Sequence, residues 1–261
     1  MSTPPLSSFS VDSVAVEIHP DKPTLSQAAA DFVAGQIAAA LAARGRARVI
    51  FATGASQYDF LDALCAAPGV DWRQVTAFHL DEYVGIAAGH PASFRRYLQE
   101  RLFTRLPFGA VHLLQGDAPD PAAECRRYAE LLAAAPIDLA CIGIGENGHL
   151  AFNDPPADFD TTAGVHIVQL DEACRRQQVG EGHFPSVDAV PPQALSMTVP
   201  ALLAAAAISC VTPGARKAQA VRCTLEGPVT PDCPASVLRT HPHCRLYLDS
   251  GSAGLLQERS R

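Results

Sequence analysis

The sequence predicts an α/β fold, a three-layer, Rossmann-like, doubly wound and mostly parallel sheet, and three observations carry that expectation. Apolar, strand-like runs alternate with helical stretches along most of the chain, the pattern of a parallel sheet covered on both faces. Several of these runs end directly in glycine-bearing or acidic turns, where open parallel sheets hold their ligands. The 261 residues are 48% hydrophobic and 18% charged, which suits a globular chain with a substantial core and argues against disorder.

Met1 to residue 12 is a Ser/Pro-rich leader expected to be disordered, and Val14 to Ile18 is the first expected strand. Thr24 and Ser26 offer caps for a long Ala-rich helix that runs toward Arg44 and stops at Gly45. Ala47 to Ala52 is a strand, and Thr53-Gly54-Ala55-Ser56 turns into a helix over Gln57 to Ala66. The strand Val75 to Leu80 ends at Asp81-Glu82-Tyr83; a helix from Ala92 to Leu106 and a short strand, Val111 to Leu114, follow. Pro121 to Ala134 reads as a helix, and Ile137 to Ile144 as the strand before a glycine-rich loop. Residues 151–190 are poor in periodicity and rich in Gly, Pro and Asp, the mark of an inserted lid or binding loop. Val199 to Ala207, Ala206 to Val211, Arg216 to Leu225 and Arg245 to Leu248 read as helix, strand, helix and final strand, with a frayed tail after Gly251. No internal repeat or linker divides the chain, so residues 1–261 are expected to form a single domain.

A net charge of -7 gives no general attraction to nucleic acid or to an anionic membrane, so an anionic ligand would need a local cationic pocket. The eight cysteines form no C-x-x-C pair and sit in apolar runs such as Leu139-Ala-Cys141-Ile, as buried thiols do. His241-Pro-His243-Cys244 matches no common zinc spacing. The first ten residues lack the basic and apolar regions of a signal peptide, and the apolar run Val199 to Val211 is too short for a span of about 20 residues. These features predict a cytoplasmic protein with a small-molecule ligand, no nucleic-acid or membrane partner, and a composition compatible with a homo-oligomer.

The most informative stretch is Gly143-Ile-Gly145-Glu-Asn147-Gly148-His149-Leu-Ala-Phe-Asn-Asp154-Pro155. It puts an imidazole that exchanges protons near neutral pH and a carboxylate able to orient it on one glycine-rich loop. Gly143, Gly145 and Gly148 also fit the dinucleotide fingerprint, and Asp171 stands near the ribose-binding position. That fingerprint needs a long helix from the third glycine, and Pro155 and Pro156 arrive too soon for one. Thr53, Gly54 and Ser56 suit a phosphate at a helix N-terminus or an ordinary capped turn. Asp81 and Glu82 fit either solvated loop acids or catalytic groups, and Lys217 either a surface lysine or a cation for the ligand.

Together these segments resemble the glucosamine-6-phosphate deaminase (isomerase) family. The resemblance rests on Thr53-Gly54-Ala55-Ser56, Phe78 through Gly85, His90-Pro-Ala-Ser93 and Gly143 through Pro155. Weaker echoes lie at Ala194 to Thr198, Gly214 to Lys217 and Ser236 to Pro242, so matched segments extend over most of the chain. It implies conversion of glucosamine 6-phosphate and water to fructose 6-phosphate and ammonia, with no metal or redox cofactor. In that reading His149 moves a proton during ring opening, and Asn147 and Asp154 orient it. Asp81 carries the C2 proton to C1, while Thr53, Gly54, Ser56, Glu82 and Lys217 hold the substrate. A 6-phosphogluconolactonase or phosphosugar isomerase on the same fold, or a non-catalytic sugar-phosphate sensor, are the alternatives.

The chain departs from the family pattern at several of these positions. Asn147 stands where the enterobacterial type has aspartate, and Asp154, where glutamate is usual, is one methylene shorter; its contact with His149 is expected to need a backbone shift or a water. Ala55 and Gln57 replace a glycine and a proline. An arginine expected between Gln177 and Phe184 is missing, and Arg175 or Arg176 is expected to replace it.

Some members of the family are activated by N-acetylglucosamine 6-phosphate at a second site. The corresponding stretch here, Pro156 to His166, has alanine and aspartate at the serine positions and Gly164 and His166 in place of a basic pair. Asp158 would repel a phosphate. Hyperbolic kinetics with no response to the acetylated sugar phosphate are therefore expected; sigmoidal rate curves that the acetylated sugar straightens would contradict this.

Overall fold

The computed structural model describes residues 3–170, 172–180, 182 and 184–257. Met1 and Ser2 of the expected leader, Asp171 and the last four residues of the expected tail lie outside them. β1 (Ser7–Val11) and β2 (Val14–His19) form an antiparallel hairpin, so the stretch read as a leader is largely a strand. Its serines alternate with Phe9 and Val11, and only those two pack inward, which is the economy of an edge strand. α1 (Lys22–Arg44) is capped by Asp21, whose side chain accepts from Thr24 N at 2.9 Å, rather than by Thr24 or Ser26. Gly45, at φ 67°, ends it in the left-handed conformation. The helix is long and apolar enough to cross a membrane by length and composition, but Leu25, Val33 and Ile37 are buried against the sheet.

β3 (Ala47–Phe51), α2 (Tyr58–Ala66) and β4 (Val75–His79) follow the predicted order. After Leu80 the chain leaves the main sheet and β5 (Asp81–Tyr83) begins a second one. α3 (Phe94–Leu98) continues as a wider π-type turn to Phe103, then β6 (Ala110–His112), α4 (Pro121–Ala133) and β7 (Leu139–Ile142). The region expected as an irregular lid holds β8 (Val165–Gln169) and α5 (Glu172–Gly180), and β9 (Gln193–Met197) follows it. α6 (Val199–Leu203), β10 (Ile208–Thr212), α7 (Ala218–Glu226) and β11 (Cys244–Asp249) complete the order. The segment after Gly251 is held rather than frayed at its start: Ser252 is fully buried and donates from its backbone N to Asp249 at 2.7 Å.

Among the described residues the main sheet has the order β1-β2-β11-β10-β7-β3-β4-β6, all parallel except β1. β3, β7 and β10 are buried along their whole length, as strands covered on both faces must be. Val49, Phe51 and Val211 face α1 and α2, while Ile50, Ile142 and Cys210 face α4, α6 and α7. β5, β9 and β8 form the second sheet, antiparallel, with Asp81 opposite Ser196. A third apolar cluster, including Tyr83, Phe94, Phe152 and Phe184, fills the space beneath it. That sheet escaped the sequence reading because β5 has three residues, two of them acidic, and its partners arrive more than eighty residues later.

Strand β4 is tied to the layer behind it by one buried phenol. The Tyr128 hydroxyl accepts from His79 N at 2.9 Å and lies 3.0 Å from His79 O and 3.1 Å from His112 O. Tyr128→Phe should lower stability by about 1–3 kcal/mol, because it strands buried backbone groups while keeping the ring. Urea unfolding measures this, and a loss below about 0.5 kcal/mol, the range of neutral surface changes, would show that the tie is dispensable.

Candidate active site

A cavity of about 490 Å³ opens at the carboxyl ends of the central strands. The chain order reverses there, since β4 and β6 extend the sheet on one side of β3 and β7, β10 and β11 on the other. Helices springing to opposite faces leave a crevice at such a point.

Two of the loops bounding it share one backbone. β3 runs into Gly54 (φ 100°, ψ 163°), a 3-10 turn over Ala55–Gln57, and then α2. β10 runs into Gly214 (φ 94°, ψ 142°), a 3-10 turn over Ala215–Lys217, and then α7. Both glycines need a positive φ that a side chain would strain. Both turns open a helix whose first N–H groups lack intrahelical partners, a setting that suits an anion. Gln57, where the family pattern has proline, is buried and stitches the loops together: its amide donates to Ser56 Oγ at 3.0 Å and to Val211 O at 3.2 Å. Asp249 Oδ2 holds the second loop by accepting from Gly214 N at 2.9 Å.

Asp81 and Glu82 are neighbours with opposite surroundings. Strand alternation turns the Asp81 side chain into the cavity, 7% exposed, and its carboxylate has no hydrogen bond among the described residues. Burial, and secondarily the charge of Glu82, push its carboxyl up to about 8. Glu82 is fully buried on the other side. It accepts from Ser93 Oγ (2.7 Å), Arg95 N (3.0 Å), Arg95 Nε (3.3 Å), Tyr83 N (3.0 Å) and Phe94 N (3.2 Å). Burial raises its pKa and those bonds pull against the rise. A carboxylate so fully engaged does not line the cavity, which differs from the expectation that Glu82 holds the substrate directly.

His149 Nδ1 lies 3.0 Å from Asp154 Oδ1. Burial raises the Asp154 pKa, but the hydrogen bond and charge of His149, then Asn147 and the Cys174 thiol, outweigh it and leave the group below its ordinary value. An ionised Asp154 keeps the proton on Nδ1 and leaves Nε2 as the acceptor on a ring that lines the cavity. The shorter acid reaches the imidazole directly, by way of the backbone rather than through a water. Ala151 takes a positive φ of 53°, and the pairing of Leu150 with Asn153 folds the loop tightly enough for direct contact. Asn147 does not touch the ring. Its Oδ1 accepts from His149 N at 3.1 Å and its Nδ2 donates to Asp154 Oδ1 at 2.9 Å, so it spans the two ends of the turn. Gly145 is required beneath the imidazole, because a Cβ there would fall 2.2 Å from Nε2.

The cavity thus gathers Thr53, Gly54, Ser56, Asp81, His149 and Lys217, with Asn147 and Asp154 behind the imidazole. It does not gather the two arginines. Arg175 donates to Val187 O at 2.6 Å, and Arg176, on the exposed side of α5, pairs with Glu172 one turn earlier. Neither lines the cavity. Lys22, Arg216 and Gln178 line it and escaped the sequence reading. The only signal for Lys22 was a cation in the first turn of a long helix, where acids are preferred. Arg216 is the sequence neighbour of Lys217, and Gln178 lies on α5, inside the stretch whose composition predicts an irregular loop.

A family model described as glucosamine-6-phosphate isomerases/6-phosphogluconolactonase matches residues 20–246. A glucosamine-6-phosphate deaminase of Exiguobacterium sp. is 40% identical over 189 residues, 72% of this chain and 73% of that protein. One of Listeria monocytogenes serotype 4a is 42% identical over 187 residues, 72% and 78% of the two chains. A solved monomeric glucosamine-6-phosphate deaminase superposes with a TM-score of 0.84 at 32% identity, over 92% of this chain and 99% of the other. A 6-phosphogluconolactonase from Shewanella baltica superposes with a TM-score of 0.73 at 19% identity, over 92% and 99%, a likeness of fold alone.

The raised pKa of Asp81 carries a stability signature. Its folded value, about 8, lies above the ordinary aspartate value of 3.8, so between roughly pH 4 and pH 8 the native state holds a proton that the unfolded chain has lost. This contribution is fully present below the unfolded pKa and is lost as pH rises, with a slope of at most about 1.4 kcal/mol per pH unit. Asp81→Asn removes the slope, so the variant should gain on the wild type from pH 5 to pH 8 in urea unfolding. Parallel pH curves for the two proteins would assign the titration to another group.

Proposed function

The chain belongs to the glucosamine-6-phosphate isomerase/6-phosphogluconolactonase family, and on that premise we propose that its cavity performs the deaminating isomerisation of glucosamine 6-phosphate, giving fructose 6-phosphate and ammonia. The relatives near 40% identity carry the deaminase name, while the lactonase neighbours share little sequence beyond the fold. The observation that carries the reading is the placement of Asp81 and the His149–Asp154 pair in one cavity with two helix-opening loops. Phosphorylated sugars are charged and do not cross membranes unaided, which supports a cytoplasmic place for this activity.

In this reading the two loops and Lys217 hold the phosphate, and the sugar carbons extend toward Asp81. His149 Nε2 takes the proton of the C1 hydroxyl and delivers one to the ring oxygen, and the C–O bond of the ring breaks; Asp154 stabilises the imidazolium in between. Asp81, as the carboxylate, then removes the C2 proton while His149, protonated again from solvent, gives that proton to the C1 oxygen, and an enolamine forms. Return of the proton from Asp81 to C1, with an amine proton passing to solvent, leaves an imine at C2. Water adds there and ammonia departs. A base with a pKa near the working pH combines a usable ionised fraction with the strength to remove a carbon acid's proton. Burial of Asp81 supplies that strength.

Asp81→Asn should lower kcat by about 10²-fold or more, with binding of glucosamine 6-phosphate retained. In D2O the wild-type protein should place deuterium at C1 of the product, and the variant should not. Turnover by the variant near the wild-type rate would remove Asp81 from this role. A lactonase would hydrolyse 6-phosphogluconolactone without taking solvent hydrogen onto carbon, which separates the two readings.

A further inference from the structure

We infer that Lys22 is a second cationic ligand for the substrate phosphate; the inference rests on the sugar-phosphate reading of the cavity. Lys22 opens α1, some thirty residues before the first loop, yet it lines the same cavity as Thr53, Ser56 and Lys217. Its Nζ donates to Ala55 O at 3.1 Å and pairs with Asp59 Oδ1 at 3.2 Å. An ammonium has three donors, so these two partners leave one for a ligand. The bond to Ala55 O also matters for an anion. It fastens the ammonium to the backbone of the loop that carries Thr53 and Ser56.

A purely structural role explains the residue poorly. A cation at the first position of a 23-residue helix opposes the helix dipole, and the Asp21 cap beside it is the one carboxylate that offsets this among the cap and first turn. The pair with Asp59 is about one-third exposed on each side, and such pairs contribute little. The cavity, in contrast, needs the charge. A phosphate dianion calls for more than one cation, and Arg175 and Arg176 are engaged elsewhere. Arg216 sits on the rim, 68% exposed, with its Nε bonded to Glu146 at 2.9 Å. Lys22 is the cation fastened to the loop itself.

Steady-state kinetics with glucosamine 6-phosphate, and calorimetric binding of inorganic phosphate, test this on Lys22→Ala, Lys22→Arg and Asp59→Asn. Lys22→Ala should raise KM and the phosphate Kd by about tenfold or more, the worth of one hydrogen bond to a charged group, with kcat little changed. Lys22→Arg should recover most of the loss, and Asp59→Asn, which keeps the cation, should bind phosphate at least as well as the wild type. An unchanged phosphate Kd in Lys22→Ala would overturn the assignment. So would an equal loss in Asp59→Asn, which would make Lys22 only a tie between α1 and α2. If the wild type released no ammonia, the deaminase reading would fall, while the phosphate titration would still decide the place of Lys22.

Discussion

A carboxylate that never meets solvent, Glu82, governs the working end of this molecule. It sits one residue after the point where the chain passes from the main sheet to the second sheet, and it draws together Ser93, the first turn of α3 and the Arg95 guanidinium. Arg95 in turn reaches Gln115, Asp117 and Ile86 O, so the loop after β6 is fastened to the same centre. Burying both charges is costly, and their full hydrogen bonding offsets that cost. Removing either partner alone would leave an uncompensated charge in the core. The same charge acts on its neighbour: Asp81, already desolvated, is pushed higher by Glu82. Anchoring the strand and raising the Asp81 carboxyl are consequences of one buried group.

The second constraint is topological. Strands β3 and β10 flank β7, and each delivers a positive-φ glycine, a 3-10 turn and a helix to one crevice. Two loops more than 150 residues apart in sequence thereby line one cavity, and Gln57 ties them by bonding Ser56 on one side and Val211 on the other. Asp249, at the end of β11, braces the second loop from behind. The parallel sheet is what makes this convergence possible, because it places all these strand ends at one edge.

The His149 loop shows how a shortened side chain is accommodated. Asp154 reaches the imidazole directly because the turn between them is tight, with Ala151 in the left-handed region and Asn147 bridging the backbone of His149 to the carboxylate. A non-glycine residue at positive φ costs about 1–2 kcal/mol, and here it serves the geometry of the pair. The Cys174 thiol, from α5, adds a further hydrogen bond to Asp154. The segment between β7 and β9 is thus coupled to the imidazole through packing and hydrogen bonds, rather than lying over it as an unstructured flap.

The sequence by itself determined the order of the main strands and helices, the family, and the residues at each strand end. Apolar runs such as Val49 to Phe51 and Leu139 to Ile142 are local signals of strands buried on both faces, and the loops that follow them carry their chemistry within a few residues. It did not disclose which side of a strand a charge would face. Asp81 and Glu82 look alike in the chain, yet alternation sends one into the cavity and the other into the core, where only distant donors could satisfy it. Nor did it separate the arginines of α5 from the cations that reach the cavity. Arg175 and Arg176 stood near the expected position, whereas Lys22 and Arg216 arrive through the packing of α1 and the turn before α7. The second sheet was hidden for the same reason: β5 pairs with a strand more than a hundred residues away. Hydrophobic periodicity and turn chemistry are local and can be read along the chain; the partner of a buried charge is set by which segments the folded sheet brings side by side.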